Sequence, residues 1–304
     1  DVIILDIEMP VMDGLTALPK LQKANPDARV IMASTLTQRN AAVSLRAMAL
    51  GAADYIAKPT TDRLNANEEF HRDLIRKVIA LGQTRKPKPQ SAQDASARPL
   101  AKFVTRTGLT RPPRMIAIGS STGGPQALLT LLGALSPAIA CPIVIAQHMP
   151  ATFTTVLAQH IERASGRPTS EAADSMEIKP GRIYLAPGDY HFEVARGSTG
   201  LVARLSQTPP QNFCRPSVDP LFHSVAQIFG AESCAVMLTG MGSDGCGGAR
   251  AIAAAGGPVI AQDEATSVVW GMPGAVAQAG ICSAILPLPR IAGHIASLFE
   301  KAAS

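Results

Sequence analysis

A serine that could act as a nucleophile stands between a predicted strand and a predicted helix. The apolar run Met115–Ile118 predicts a strand, and the apolar positions after Pro125 recur with helical spacing. Gly119-x-Ser121-x-Gly123 has the spacing of a nucleophile elbow, in which small neighbours permit a sharp bend and leave a serine hydroxyl exposed. Ser121 is therefore our candidate nucleophile, and it needs a base and a group that orients the base.

The same turn has a second interpretation, because glycine-rich strand-to-helix turns also bind phosphate groups. The turn contains no Gly-x-Gly-x-x-Gly, and no Lys-Ser or Lys-Thr pair follows its glycines as in a phosphate-binding P-loop. A phosphate- or nucleotide-binding α/β module stays open as an alternative function.

His148 is the candidate base. It follows the apolar run Pro142–Ala146 and lies at the carboxyl end of a predicted strand, as Ser121 does. His191 is a rival, because it also follows a strand-end turn. The other histidines lie in helical patterns without an evident partner: His71, His160, His223 and His294.

Asp244 is the candidate acid that orients the base. It lies in a glycine-rich turn after the apolar run Ala235–Leu238, and the carboxyl ends of parallel strands share one edge of a sheet. Asp189 and Asp263 follow similar strand ends and stay open as alternatives, while Asp244 could also cap the next helix. The resulting order of serine, histidine and aspartate differs from the order of the α/β-hydrolases, so the triad is a matter of geometry rather than of sequence order.

A second polar group of residues lies near the start of the chain. Asp6, Ser34 and Lys58 each follow a short apolar run that predicts a strand. Taken singly they could be a helix cap, a turn residue and a solvated surface charge. Together they would meet at the carboxyl edge of a parallel sheet, where α/β folds place their sites.

Strand and helix patterns alternate along most of the chain, which predicts an α/β fold class. Residues 113–304 predict a doubly wound, mainly parallel sheet, and residues 1–82 predict three parallel strands of a smaller domain. Residues 83–112 are rich in Lys, Pro, Gln, Ser, Ala and Arg and lack an apolar period, as expected of a flexible linker.

The composition restricts the possible functions. The 304 residues are 46% hydrophobic and 17% charged, enough for packed cores, and no apolar run reaches the length of a membrane span. The net charge of +5 lies largely around the linker, which does not favour nucleic-acid binding. Five scattered cysteines without metal-ligand spacing predict reduced thiols and no metal in the larger domain. We expect a cytoplasmic monomer without membrane insertion.

The start of the chain resembles the second half of a response-regulator receiver domain, which has a flavodoxin-like fold. The resemblance rests on LDIEMPVMDG, the strand-end Ser34 and Lys58-Pro59. It implies that Asp6 accepts a phosphoryl group from a histidine kinase, that Ser34 senses it, and that Lys58 pairs with the acyl phosphate. No acidic pair of a first receiver strand precedes Asp1. We therefore expect a partial receiver that does not accept phosphate by itself, and expect Mg²⁺ only for phosphorylation of an intact receiver.

The rest of the chain resembles the catalytic domain of the chemotaxis protein-glutamate methylesterases, the CheB family. The resemblance runs over residues 115–286 and rests on six motifs in order: IAIGSSTGG, IAQHMP, IYLAPGDYH, RPSVDPLFHSVA, MLTGMGSDG and IAQDEATSVVWGMP. It implies a Ser121, His148 and Asp244 triad that needs no cofactor. The implied reactions are hydrolysis of glutamyl methyl esters and deamidation of glutamines on methyl-accepting chemotaxis receptors.

The resemblance also implies which residues bind the oxyanion and how the receiver domain regulates the activity. Thr122, Gly123 and Met241 are expected near the oxyanion, with backbone N–H groups of residues 121–124 as donors. In the family an unphosphorylated receiver covers the active site, so a partial receiver predicts constitutive activity. A response regulator that only docks on receptors, without catalysis, is a further alternative.

Overall fold

The computed structural model describes residues 2–59, 66–83, 112–198 and 200–300. Apart from its two end residues, the predicted linker 83–112 lies outside the described residues. None of the described helices is long and apolar enough to cross a membrane.

The first part of the chain forms a small parallel sheet of three strands in the order β1-β2-β3. Its strands are β1 Val2–Asp6, β2 Arg29–Ser34 and β3 Asp54–Ala57, and its helices are α1 Gly14–Ala24, α2 Gln38–Ala49 and α3 Ala66–Gln83. The sequence analysis predicted the strands but missed α1. This helix starts at Gly14 and contains Pro19, two residue types that weaken a helical signal, and it is capped by the Asp13 side chain.

The larger part of the chain forms a sheet of seven strands, β12-β11-β10-β4-β5-β7-β6, with every neighbouring pair parallel. The strands are β4 Met115–Ser120, β5 Ile143–Gln147, β6 Thr169–Glu171, β7 Ile183–Leu185, β10 Ser233–Met237, β11 Val259–Gln262 and β12 Ala284–Leu286. The strands β8 His191–Arg196 and β9 Leu201–Ser206 pair as an antiparallel hairpin. The helices are α4 Gly124–Gly133, α5 Ala151–Ser165, α6 Val218–Phe229, α7 Cys246–Ala254, α8 Met272–Gln278 and α9 Leu288–Glu300.

Helices cover both faces of the seven-stranded sheet, which confirms the predicted doubly wound α/β fold. Side chains of α4, α5 and α9 pack in one apolar core, and side chains of α6, α7 and α8 pack in the other. The chain runs from β4 outward to β5 and later returns to β10 on the other side of β4, so the strand order reverses at β4. Open α/β sheets bind their ligands at such a reversal.

The smaller sheet packs directly against the larger domain. The ring of Tyr55, in β3, stacks on the ring of Phe153, in α5, with centroids 4.3 Å apart. Both side chains are buried. A stacked aromatic pair contributes roughly 1 kcal/mol beyond the apolar area that it removes from water. The two parts of the chain thus share a core rather than only a surface contact.

Candidate active site

The residues predicted as nucleophile, base and orienting acid follow three adjacent strands. Ser121 comes directly after β4, His148 directly after β5, and Asp244 lies in the turn after β10. In the sheet, β4 lies between β10 and β5. All three side chains line one cleft of about 870 Å³ at the carboxyl edge of the sheet. Parallel strand ends thereby bring together residues that are far apart in sequence.

The turn that carries Ser121 depends on glycine and on backbone hydrogen bonds. Gly123 has a left-handed φ of 76°, and a Cβ at this position would lie 2.5 Å from Val268 Cγ2. The Ser121 N–H donates to the Thr239 carbonyl over 3.0 Å. Gln147 Nε2 donates to the Ser121 carbonyl over 3.0 Å. The main chain of the candidate nucleophile is therefore fixed at both its N–H and its carbonyl.

The candidate base and acid contact each other. His148 Nε2 lies 2.7 Å from Asp244 Oδ2. The buried Asp244 carboxylate also accepts hydrogen bonds from five further donors: Ser217 Oγ at 2.6 Å, Val218 N at 2.7 Å, Asn212 Nδ2 at 2.8 Å, Gly245 N at 2.9 Å and Asp219 N at 3.4 Å. This network fixes the carboxylate, which in turn fixes the orientation of the imidazole ring.

The charges of this pair follow from its surroundings. Burial raises the pKa of Asp244, but the hydrogen bond and charge of His148 and the Ser217 hydroxyl outweigh burial and hold the pKa below its usual 3.8. Burial lowers the pKa of His148, but the charge of Cys214 and the Asp244 carboxylate raise it to about 10. The imidazole is therefore protonated at neutral pH in this conformation.

The other nitrogen of His148 faces a cysteine rather than the predicted serine. His148 Nδ1 lies 3.4 Å from Cys214 Sγ. Among the described residues, no hydrogen bond joins the Ser121 hydroxyl to His148, although both line the same cleft. The structure thus brings the histidine and the aspartate together and leaves the serine beside them without direct contact.

The alternative base, His191, and the alternative acid Asp263 make hydrogen bonds with groups outside the candidate triad. His191 is 1% exposed, its Nδ1 accepts from the Ser217 N–H at 3.2 Å, and its Nε2 lies 3.2 Å from the Pro209 carbonyl. Asp263 accepts hydrogen bonds from the main chain and side chain of Thr266 within one turn. Asp189 also lines the cleft, and its N–H donates to the Arg215 carbonyl over 3.2 Å.

The expected oxyanion donors are fewer than the sequence analysis assumed. The Ser121 N–H bonds to Thr239 O, and the Gly124 N–H bonds to the Ser121 carbonyl over 2.7 Å. Within the described part of the chain, the N–H groups of Thr122 and Gly123 donate to no other group, and they lie just before α4. The Met241 side chain lines the cleft and packs against apolar residues of the smaller domain.

Several site residues were not found by sequence reasoning. Cys214 and Asn212 lie in the loop between β9 and α6, which has no helical or strand period that would mark it. Asp54 comes from the other domain: its Oδ2 accepts from the Thr122 hydroxyl over 2.7 Å. Only Gln147 had a signal, since it directly precedes His148 at a strand end.

The smaller domain carries the predicted phosphoryl group site. Lys58 Nζ lies 2.6 Å from Asp6 Oδ2, and the Glu8 N–H donates to Asp6 Oδ1 over 3.2 Å. Partial burial raises the pKa of Asp6, but Lys58 and the backbone donors lower it below the usual 3.8. The Ser34 hydroxyl donates to the Thr35 carbonyl over 3.1 Å. The three residues end neighbouring strands, as the receiver resemblance implies.

The Mg²⁺ ion that a receiver implies does not fit the described residues. In residues 2–59 and 66–83, no three metal-ligating side chains converge at Asp6, and one Asp6 oxygen is paired with Lys58. The acidic Glu8 side chain accepts from Asn40 Nδ2 over 3.1 Å.

The smaller domain lies over the cleft. Side chains of β3 and α3 line the cleft beside those of the larger domain. Lys77 Nζ lies 2.6 Å from Asp54 Oδ2, the oxygen that also accepts from Thr122. The Arg76 guanidinium lies 4.6 Å from the centre of the exposed Phe213 ring. Contacts therefore reach from the receiver-like domain to the residue next to Ser121.

The fold and the cleft define a class: an α/β enzyme of hydrolase type joined to a receiver-like domain. The chain matches the family "CheB methylesterase" over residues 116–295 and "Response regulator receiver domain" over residues 1–67. It belongs to the CheB methylesterase family, which confirms the resemblance found in the sequence.

Individual relatives agree with this assignment. The chain is 54% identical to protein-glutamate methylesterase/protein-glutamine glutaminase 1 of Paramagnetospirillum magneticum, over 99% of this chain and 84% of that protein. It is 51% identical to the protein of the same name from Rhodospirillum rubrum, over 97% of this chain and 82% of that protein. Among solved structures, the chain resembles the crystal structure of the Thermotoga maritima CheB methylesterase catalytic domain, with a TM-score of 0.60 and 39% sequence identity. The match extends over 61% of this chain and 98% of that domain.

Proposed function

We propose that this cleft hydrolyses the methyl esters of glutamate side chains on methyl-accepting chemotaxis receptors and deamidates receptor glutamines. The observation that carries the proposal is the His148–Asp244 pair, held 2.7 Å apart in the cleft that Ser121 also lines. The names of the relatives, which combine methylesterase and glutaminase, support the same two reactions.

The roles of the three residues follow from which atoms are already engaged. Asp244 holds His148 through Nε2, so Nδ1 is the nitrogen left to take the proton of Ser121. For this step, His148 Nδ1 must leave its contact with Cys214 Sγ and form a hydrogen bond with Ser121 Oγ. The serine oxygen then attacks the ester carbonyl, and His148 returns the proton to the departing methoxide as methanol. Water, deprotonated by His148, hydrolyses the acyl-enzyme to glutamate and restores Ser121.

Deamidation uses the same groups with a different leaving group. The glutamine side chain loses ammonia instead of methanol, and the same acyl-enzyme is hydrolysed. We assign the N–H groups of Thr122 and Gly123, before the first turn of α4, to the negatively charged oxygen of the intermediate. Each such donor contributes roughly 3 kcal/mol to transition-state stabilisation in comparable sites.

We propose further that the receiver-like domain restrains the cleft and that a chemotaxis histidine kinase phosphorylates Asp6 in the intact receiver. The Asp54–Thr122 hydrogen bond supports the restraint, because it engages the side chain of an assigned oxyanion residue. We place the protein in the cytoplasm as a monomer. Its five cysteines are all free, as in proteins of reducing compartments.

The proposal is tested by methanol release from a methylated chemoreceptor. We expect the parent chain to release methanol and Ser121→Ala to lose at least ~10³-fold in rate, because the nucleophile is gone. Ser243→Ala is the matched control, since Ser243 is an exposed serine that lines the same cleft. Loss of activity in the control alone, or full activity in Ser121→Ala, would contradict the assignment.

A further inference from the structure

A cysteine occupies the position beside the candidate base where a nucleophile is activated. Cys214 Sγ lies 3.4 Å from His148 Nδ1, and His148 Nε2 lies 2.7 Å from Asp244 Oδ2. Thiol, imidazole and carboxylate thus form a continuous row. The same row of groups activates the nucleophile in cysteine hydrolases, where the histidine takes the thiol proton.

The row is held in place from its carboxylate end. Ser217 Oγ and Val218 N donate to Asp244 over 2.6 and 2.7 Å, so the carboxylate cannot turn without breaking these bonds. Asn212 contributes at both ends: its Nδ2 donates to Asp244 over 2.8 Å, and its carbonyl lies 3.4 Å from Cys214 Sγ. The thiol is therefore positioned by the same residues that position His148.

A metal ion is the other ligand that such a set could take, since a histidine, a cysteine and an aspartate lie within 4.8 Å of one another. The two imidazole nitrogens point in different directions, however, and each already faces one of the other two groups. The sulfur, the imidazole nitrogens and the carboxylate oxygen face one another in a row, so they do not converge on one metal ion. A proton, by contrast, can pass from the thiol to the imidazole without any rearrangement of the side chains. The geometry therefore favours a thiol that acts as a nucleophile over a metal site.

Access distinguishes Cys214 from the buried cysteines. Cys214 is partly exposed and lines the cleft, which also contains the positive side chains of Lys77 and Arg215. By contrast, Cys234 and Cys282 are buried, and burial raises the pKa of Cys282 to about 12. Because the thiolate is the reactive form, a thiol beside imidazolium and other cations reacts faster than a thiol in an apolar core.

We propose that Cys214 is a site of reversible oxidation by peroxides and that its oxidation stops ester hydrolysis at His148. The Cys214 thiolate attacks one oxygen of hydrogen peroxide, so that an S–O bond forms and the O–O bond breaks. The departing hydroxide takes the proton of the His148 imidazolium and leaves as water. The sulfur is oxidised to a sulfenic acid while the peroxide is reduced.

The added oxygen accounts for the inhibition. It occupies space beside His148 Nδ1, the nitrogen that the proposed mechanism needs for Ser121, and thereby keeps the serine hydroxyl from reaching the base. Two equivalents of a small thiol reverse the change: they yield the cysteine thiol, a disulfide of the reductant and water. This part rests on the proposed function, whereas the reactivity of Cys214 does not.

The test uses the full chain, hydrogen peroxide and a metal chelator at pH 7. Dimedone traps sulfenic acid at timed intervals, and peptide mass spectrometry gives the rate for each cysteine. We expect Cys214 to be labelled at least tenfold faster than Cys141, Cys246 or Cys282. We expect methanol release from a methylated receptor to fall at the rate of Cys214 labelling and to return after dithiothreitol.

Two variants separate this site from general damage, each compared with its own untreated rate. Cys214→Ser should resist peroxide, while Cys246→Ser should lose activity as the parent does, because Cys246 is also partly exposed but contacts Ala275 O instead of a histidine. Labelling of Cys214 no faster than of Cys246, or inactivation of Cys214→Ser at the parent rate, would overturn the proposal. If the untreated chain releases no methanol, the proposed function fails, and the labelling rates still decide the reactivity of Cys214.

Discussion

At the scale of single residues, the protonation of His148 decides when the proposed reaction can run. A general base must be neutral to accept a proton, and burial, which lowers the pKa of His148, is outweighed by Cys214 and Asp244, which raise it to about 10. At neutral pH most of the histidine is then in the form that cannot act as a base. Activity should rise with pH as the imidazolium loses its proton.

Removing the charge of Cys214 should shift this dependence. In Cys214→Ser the sulfur that stabilises the imidazolium is absent, so the pKa of His148 falls and the ascending limb of kcat/KM moves to lower pH. We expect a shift of about one pH unit or more, measured by methanol release between pH 6 and 10. An ascending limb at the same pH in both proteins would show that Cys214 does not influence the base.

At the scale of elements, β3 and α3 line the cleft beside the larger domain. The sequence analysis expected constitutive activity from a partial receiver. The hydrogen bond from Thr122 to Asp54, and the ion pair of Asp54 with Lys77, instead favour restraint by the receiver-like domain. The stacked Tyr55 and Phe153 rings hold the same strand against α5.

Asp54→Ala tests this restraint. The substitution removes the hydrogen bond to Thr122 and the closer of the two carboxylates that pair with Lys77. Lys77 keeps only Asp73, at 4.0 Å, and the Tyr55 carbonyl, at 3.0 Å. Both effects loosen β3 and α3, so we expect a several-fold higher rate of methanol release. Glu68→Ala removes the same charge from an exposed position of α3 and should keep the parent rate. Equal rates in all three proteins would argue against restraint by Asp54.

The elements also show what the sequence could and could not predict. Strands such as β4 and β5 were predicted to within a residue or two at their ends, because buried parallel strands are short apolar runs bounded by polar turns. The strand β6, Thr169–Glu171, was missed because it has three polar residues and lies at the sheet edge. The local sequence pattern is enough to predict an element when burial restricts its residues to apolar types.

The candidate site likewise has residues that could be predicted from the sequence and contacts that could not. Ser121, His148 and Asp244 were predictable because strand ends of a parallel sheet meet at one edge. The contacts of Cys214 with His148 and of Asp54 with Thr122 join residues 66 and 68 positions apart, through a loop and a domain interface. No periodicity in the sequence encodes such contacts, since they depend on how whole elements pack.

At the scale of the whole molecule, the receiver-like domain has its phosphoryl group site only in part. Asp6 and Lys58 form the expected pair, but the residues described around them do not supply the ligands of a Mg²⁺ site. We therefore expect no stoichiometric acyl phosphate when this chain is incubated with a small phosphodonor and Mg²⁺. Intact-mass analysis measures the adduct, with Asp6→Asn as the control. A full equivalent of phosphate that disappears in Asp6→Asn would contradict the expectation.

In the proposed mechanism Ser121, and not the thiol beside His148, carries the acyl group. The most direct test is an acid quench within one turnover of a methylated receptor peptide, followed by mass spectrometry of the peptides that contain Ser121 and Cys214. We predict a transient adduct on Ser121 with the mass of the substrate minus methanol, absent from Ser121→Ala. An adduct on Cys214 that persists in Ser121→Ala would show that the cysteine is the nucleophile and would contradict the account.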